Sequence, residues 1–237
     1  MNIQDAAALV TGASRGLGRA LALALAAAGA RVVLVARGEA ELAQVVSQIR
    51  AGGGVAHALV GDVGDKREAH RIAGAATALV GPIDLLVHNA STLGPTPLRL
   101  LLDTECEDLA AVLETNLVGP FRLTKIIAGS MALRGRGTIV HVSSDAAVAA
   151  YPRWGSYGVS KAAQDHLSRI LAAELDGSGV RVLAVDPGEM DTVMHRDAMP
   201  EADPATLARP ADVAARLLAI VRSDAASGAR VEAASWS

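Results

Sequence analysis

The sequence predicts an α/β fold: a doubly wound, mostly parallel seven-stranded sheet with helices on both faces. Three observations carry this. Short β-branched runs alternate with longer Ala/Leu-rich stretches of helical spacing, and Gly or Pro separates them. The short runs are apolar throughout rather than alternating, the pattern of parallel strands covered on both sides. Apolar residues make up 51% and aromatics only 2%, so the core is Ala, Val, Leu and Ile, which suits small-faced helices lying close on Val-rich strands.

The elements follow in order. A strand at Ala7–Val10 leads through a glycine-rich loop into a helix at 16–28. Arg31–Ala36 is the second strand; a helix at 39–51 follows Gly38 and stops at Gly52-Gly53-Gly54. The third strand is Val55–Val60, with a helix at 65–80 closed by Gly81-Pro82. Ile83–Val87 is followed by a Pro-containing loop and one long helix at 104–133. Thr138–Val142 precedes a helix at 156–175, and Arg181–Val185 runs into Pro187-Gly188. A short polar lid at 189–210, a helix at 211–222 and a last strand at Ala229–Ala233 complete the chain. At roughly 150 residues per domain, 237 residues fit one domain over 1–237. Ligands of such sheets bind at the C-terminal strand ends, so the loops after each strand are where chemistry is expected.

Composition narrows the function. Net charge is -3, a balance that requires no strongly basic face, so nucleic acid is not the expected partner. The apolar runs, such as Ala20 to Ala30, fall short of the ~20 residues that span a bilayer. Mean hydropathy of +0.32 therefore reads as a dense soluble core. Cys106 is the one cysteine, so an internal disulfide and a cysteine zinc site are excluded. The six histidines show no metal-ligand spacing, and no metal is expected. Met1–Asp5 lacks the basic start of a signal peptide, so a cytoplasmic location is the expectation.

The loop Thr11-Gly12-Ala13-Ser14-Arg15-Gly16-Leu17-Gly18 joins the first strand to its helix. Its glycines let backbone N–H groups approach an anion, and the helix N-terminus favours a pyrophosphate. The spacing is Gly-x-x-x-Gly-x-Gly, not the general dinucleotide fingerprint, and no Lys-Ser/Thr pair makes it a P-loop. A tight turn that binds nothing is the plainer alternative. Tyr157 and Lys161 stand four apart in a helix, hence on one face. A nearby ammonium favours a phenolate, so the pair is a candidate proton donor or acceptor with a lowered Tyr157 pKa. Alone, such a pair is more often a solvated helix face.

Together these residues make the sequence similar to the classical short-chain dehydrogenase/reductase family, over nearly the whole chain. Thr11 to Gly18 resembles its glycine motif, and Asp62-Val63 its adenine-holding position. His88-Asn89-Ala90-Ser91 resembles its Asn-Ala-Gly motif, with Ser91 in place of the usual Gly. Asn116, Ser144, Tyr157 and Lys161 match its catalytic positions, and Pro187-Gly188-Glu189-Met190-Asp191-Thr192 resembles its nicotinamide-holding segment. The resemblance implies a Rossmann fold and NAD(P)(H)-dependent interconversion of a small-molecule carbonyl and alcohol. It implies that Tyr157 moves the proton, Lys161 lowers its pKa and holds the ribose, Ser144 bonds the substrate oxygen, and Asn116 supports a water on the proton path. It places the cofactor on Gly12, Ser14, Arg15, Gly16, Leu17, Gly18, Arg37, Asp62, Val63, Asn89, Ala90, Tyr157, Lys161, Pro187, Gly188, Met190 and Thr192. Ser91 is expected to crowd the cofactor slightly without abolishing binding. A homodimer or homotetramer through the helices at 104–133 and 156–175 is also implied.

An NAD-preferring site places Asp or Glu at the end of the second strand for the ribose 2′-OH. Here Ala36 and Arg37 stand there, and Arg15 lies in the glycine loop. Two guanidiniums suit a 2′-phosphate, so NADP(H) is the expected cofactor, with NAD(H) possible. The simpler alternative pairs Arg37 with Glu39 or Glu41 in water. His88 and His141 are expected to be hydrogen-bonded structural residues. Trp236 is expected to anchor the tail on a neighbouring subunit or to fray. The lid carries Met190, Met194 and Met199 with Asp191, His195, Arg196 and Asp197, and its charge favours a compact polar substrate. Arg153 and Trp154 are further pocket candidates.

The leading expectation is an NADPH-dependent carbonyl reductase. Two rivals stand beside it: a non-catalytic dinucleotide-sensing protein on the same fold, and an NAD-dependent alcohol dehydrogenase working in the oxidative direction.

Overall fold

The computed structural model describes residues 1–236, so the expected domain end at residue 237 lies outside the described residues. The strands are β1 (Ala7–Thr11), β2 (Arg31–Ala36), β3 (Val55–Val60), β4 (Leu85–His88), β5 (Gly137–Val142), β6 (Val180–Asp186) and β7 (Arg230–Glu232). They form one seven-stranded sheet in the order β3-β2-β1-β4-β5-β6-β7. Every pairing is parallel. The order reverses between β1 and β4, the place where open sheets of this kind bind ligands.

Packing follows the composition. β1 and β4 are buried along their whole length, as covered parallel strands require, whereas edge strand β3 buries only Ala56 fully. On one face lie α1 (Gly16–Ala27), α2 (Glu39–Ala51) and α8 (Pro210–Arg222), which bring Leu21, Leu25, Leu42, Val45 and Leu217 onto Val10, Val32 and Leu34. On the other lie α3 (Glu68–Val80) and α5 (Gly119–Leu133), joined by the Ala172 end of α6 (Gly155–Glu174). Trp236 is half-buried and packs against the first of these cores rather than fraying.

Three departures from the sequence expectation matter. The helix expected at 65–80 starts only at Glu68, because Asp62 and Asp65 accept from the amides of Gly64 and Arg67 two residues on, at 2.9 Å each, and hold turns. The long helix at 104–133 is α4 (Cys106–Leu113), a π turn at Glu114–Val118, and α5. Pro120, in the first turn of α5, has no N–H to give the carbonyl of Asn116 four residues back, which loosens the ladder there. Finally, the lid contains a short helix, α7 (Val193–Ala198), started by Thr192, whose Oγ1 accepts from His195 N at 3.2 Å.

Candidate active site

The loops after β1 and β4 are locked together at the strand-order reversal. Thr11 Oγ1 donates to the Val87 carbonyl at 3.2 Å and accepts from the amides of Asn89 and Ala90 at 3.1 Å each. Asn89 Nδ2 returns bonds to the carbonyls of Thr11 and Gly12, at 3.0 and 3.1 Å. This brace leaves no room for side chains. Gly12 has φ +65 and a Cβ there would stand 2.8 Å from Ala90 Cα; a Cβ at Gly18 would stand 2.3 Å from the Gly12 carbonyl oxygen. The third residue of α1 is thus held against the loop that precedes it.

Above this brace, at the C-terminal strand ends, opens a cleft of 1220 Å³. Gly12, Ser14, Arg15, Gly16, Leu17, Arg37, Asp62, Val63, Asn89, Ala90, Tyr157, Lys161, Pro187, Met190 and Thr192 all line it. Gly18, Gly188, Asn116 and Ser144 do not form its wall. A second hollow of 560 Å³ lies at the opposite end of the sheet beside Met1, Asp84 and Arg181, away from the assembled reactive groups. In α1, Arg15 stands at the N-cap with no side-chain cap, and no acidic residue occupies the first turn. The free amides there face the cleft through Gly16 and Leu17, so a pyrophosphate fits. Arg15 makes no ion pair among the described residues. Arg37 Nη1 stands 3.9 Å from Asp62 Oδ2 rather than on Glu39 or Glu41, with its side chain 79% exposed. Both guanidiniums are available to a phosphate monoester.

At the other end of the cleft, Tyr157 lies buried in the first turn of α6, edge-on to Trp154 with ring centroids 5.8 Å apart. Burial pushes its phenol up to about 12; the hydroxyls of Ser144 and Ser91 oppose that shift, and the charges of Asp186 and Asp145 add to it. The phenol expected to be acidified beside Lys161 is instead raised, with desolvation by burial the largest cause. Lys161 Nζ stands over the Tyr157 ring, 5.6 Å from its centroid, and is itself pushed down to about 8 by burial, with Asp165 opposing. Ser144 follows β5 in an extended conformation, accepts from Ala146 N at 3.2 Å and donates to Asp145 Oδ1 at 3.0 Å. Ser91 Oγ is buried with no partner in good hydrogen-bond geometry, yet lies close enough to Tyr157 for its dipole to favour the phenolate. The residue expected to crowd the cofactor thus faces the phenol.

Asn116 is buried in the π turn. Its Oδ1 accepts from Thr92 N at 2.8 Å, and its Nδ2 donates to the Thr92 carbonyl and to Ser160 Oγ at 2.9 Å each. Its backbone carbonyl accepts from Gln164 Nε2 at 2.9 Å. His88 and His141 stack at 4.8 Å, fully buried, bonded to Thr124 Oγ1 and Ser168 Oγ at 2.8 and 2.9 Å. Burial holds both neutral, His141 near a pKa of about 3, in keeping with structural roles. On the lid side, Met194 and Ala198 join Leu98 and Trp154 around Leu93, Ala146 and Tyr157. The wall beside the phenol is apolar, although the lid sequence reads as polar.

Sequence reasoning placed Thr11 in the glycine motif without a role of its own, and missed Ser160, Gln164, Asp165 and Arg230. One signal was present: Tyr157, Ser160, Lys161, Gln164, Asp165 and Ser168 recur at helical spacing, and this polar stripe is the buried face of α6.

Among the described residues no helix is long and apolar enough to cross a membrane, and no group of three metal-ligating side chains occurs. A family model described as short chain dehydrogenase matches residues 6–203. A short chain dehydrogenase of Pseudocercospora fijiensis is 40% identical over 195 residues, 80% of this chain but 61% of that relative's length. A Shigella flexneri structure described as a short chain dehydrogenase complexed with NADP superposes with a TM-score of 0.91 at 28% identity, covering 98% of both chains. A 7 alpha-hydroxysteroid dehydrogenase complexed with NADH and 7-oxo glycochenodeoxycholic acid superposes with a TM-score of 0.86 at 29% identity, covering 98% of this chain and 94% of that one.

Proposed function

The chain belongs to the short chain dehydrogenase family, and within it we propose an NADP(H)-dependent oxidoreductase that reduces a small carbonyl compound, with Tyr157 as the general acid. One observation carries the reading: a neutral, buried phenol stands beside the Ser144 and Ser91 hydroxyls, with the Lys161 amine over its ring. A bound nicotinamide dinucleotide supplies the hydride. The residues of the chain do the rest. Gly12, Ser14, Gly16, Leu17 and the first amides of α1 hold the pyrophosphate, with Gly18 and Asn89 keeping that loop in shape. Arg15 and Arg37 hold the 2′-phosphate, and Asp62, Val63 and Ala90 flank the adenosine half. Pro187, Gly188, Met190 and Thr192 hold the nicotinamide end.

Ser144 orients the substrate oxygen and stabilises charge developing there. Tyr157 then gives that oxygen its proton. The buried phenol is protonated at neutral pH, the form that gives a proton in the reductive direction. The apolar wall of Leu93, Leu98, Trp154 and Met194 favours a substrate with an apolar body beside its carbonyl. Exposed Phe121 on α5 with Val159 and Ile170 on α6 support a homodimer or homotetramer through those helices, in the cytoplasm.

The test is a panel of carbonyl compounds with NADPH and with NADH, followed by loss of the reduced-nicotinamide absorbance. Tyr157→Phe is expected to lose at least about a hundredfold in kcat, with NADPH still bound. Full turnover in that variant refutes the assignment.

A further inference from the structure

Lys161 is buried with only 1% of its surface exposed, and two acceptors hold its amine: the Val142 carbonyl at 2.7 Å and Gln164 Oε1 at 3.2 Å. The same Gln164 amide donates through Nε2 to the Asn116 carbonyl at 2.9 Å. Gln164 is itself 1% exposed. Its orientation is dictated by these partners: a flipped amide would set N–H against ammonium and oxygen against carbonyl. The Asn116 carbonyl is on offer because it lies in the π turn, four residues before a proline that has no N–H.

We infer that Gln164 is the positioning residue of the proton-transfer site. Its side chain joins Lys161 directly to Asn116, the connection that the sequence resemblance assigns to a water. An amide of fixed orientation sets the direction of the amine, whereas a water can turn. It closes the interior approach to Nζ and leaves one N–H for the cleft that Lys161 lines. The inference rests on the proposed reaction for its catalytic meaning, but its geometry stands without it.

The charged and titratable groups facing Lys161 are Tyr157 and Asp165 on α6, His88 at the end of β4 and His141 on β5. The two histidines are held neutral by burial, so Asp165, the Val142 carbonyl and the Gln164 dipole are what favour the charged amine. The chain has three lysines, Lys66, Lys125 and Lys161. Lysine-selective isotope labelling therefore gives a spectrum in which Lys161 is identified by its loss in Lys161→Arg and titrated directly in the full chain.

Gln164→Glu keeps the shape and sets a carboxylate against the amine; the Lys161 midpoint is expected to rise by roughly one pH unit or more. Gln164→Leu removes the acceptor, so the midpoint is expected to fall, with about a tenfold loss of kcat in carbonyl reduction. An unmoved Lys161 midpoint in folded Gln164→Glu overturns the inference, and that variant decides alone if Gln164→Leu does not fold. A Lys161 midpoint that moves in both variants, with a wild-type chain that oxidises NADPH against none of the carbonyl compounds, upholds the positioning role and sinks the proposed reaction instead.

Discussion

Arg230 Nη2 donates to the backbone carbonyl of Ser144 at 3.1 Å, across 86 residues of chain. The same guanidinium lies 2.7 Å from Asp186 Oδ2 and 3.1 Å from Asp165 Oδ2, so the last strand ties β6 and α6 to Ser144, the residue proposed to meet the substrate oxygen. Those carboxylates are 8% and 9% exposed, and removing their cation strands both. Arg230→Met is expected to cost about 3 kcal/mol in urea unfolding and to lower turnover by letting Ser144 drift. Glu232→Gln, at the exposed third partner, is expected to change stability by no more than about 0.5 kcal/mol. Equal unfolding midpoints for Arg230→Met and wild type would remove this role.

The brace at the strand-order reversal tolerates no methyl group. A Cβ at Gly18 would stand 2.3 Å from the Gly12 carbonyl oxygen and 2.4 Å from Asn89 Nδ2, so α1 has to lift from the loop. Gly18→Ala is expected to lose about 2 kcal/mol of stability together with NADPH binding, read by urea unfolding and by calorimetric titration. Normal binding in that variant would show that the loop has slack the packing does not reveal.

The proposed preference for NADP(H) rests on Arg37. Its side chain is largely exposed and held only by a 3.9 Å approach to Asp62, so little is lost in redirecting it to a phosphate. Arg37→Asp is expected to weaken NADPH by about tenfold or more through lost charge-assisted bonds and to strengthen NADH. Fluorescence titration with both dinucleotides checks it, and an unchanged NADPH affinity would refute the 2′-phosphate assignment.

Stability should carry the marks of the two buried titrating groups. Lys161 releases its proton near pH 8 when folded but near 10.5 when unfolded. Across that window the unfolded chain binds more protons, so stability rises with pH. Tyr157 ionises near 10 unfolded and about 12 folded, so above pH 10 the folded chain binds more protons and stability falls. Urea midpoints measured at close pH intervals are expected to rise in wild type relative to Lys161→Met between pH 8 and 10. The decline above pH 10 is expected to be shallower in Tyr157→Phe. Parallel pH curves for wild type and Lys161→Met would mean that the amine is not desolvated.

Much of the fold was legible because its signals are local. Arg31–Ala36 and Val55–Val60 were delimited correctly from β-branched runs between Gly and polar residues. The glycine loop announced itself by position between a strand and a helix, and Tyr157 and Lys161 share a helix face by arithmetic alone. The π turn was not legible, since Glu114–Val118 contains no Gly or Pro and only the meeting of Pro120 with the packing of Asn116 opens the ladder. The lid misled for a related reason: its charges face solvent while Met194 turns inward to the phenol.

The sequence by itself determined the order of strands and helices, the residue types gathered at the cleft and the pairing of Tyr157 with Lys161 on one helix face. Tertiary structure alone decided that Gln164 bridges Lys161 to Asn116, that Arg230 reaches Ser144, and that the phenol is made less acidic rather than more. Spacing along one helix sets which groups are near each other. The free energy of a charge depends on how much water the whole fold removes from around it, and that is contributed by segments distant in the chain.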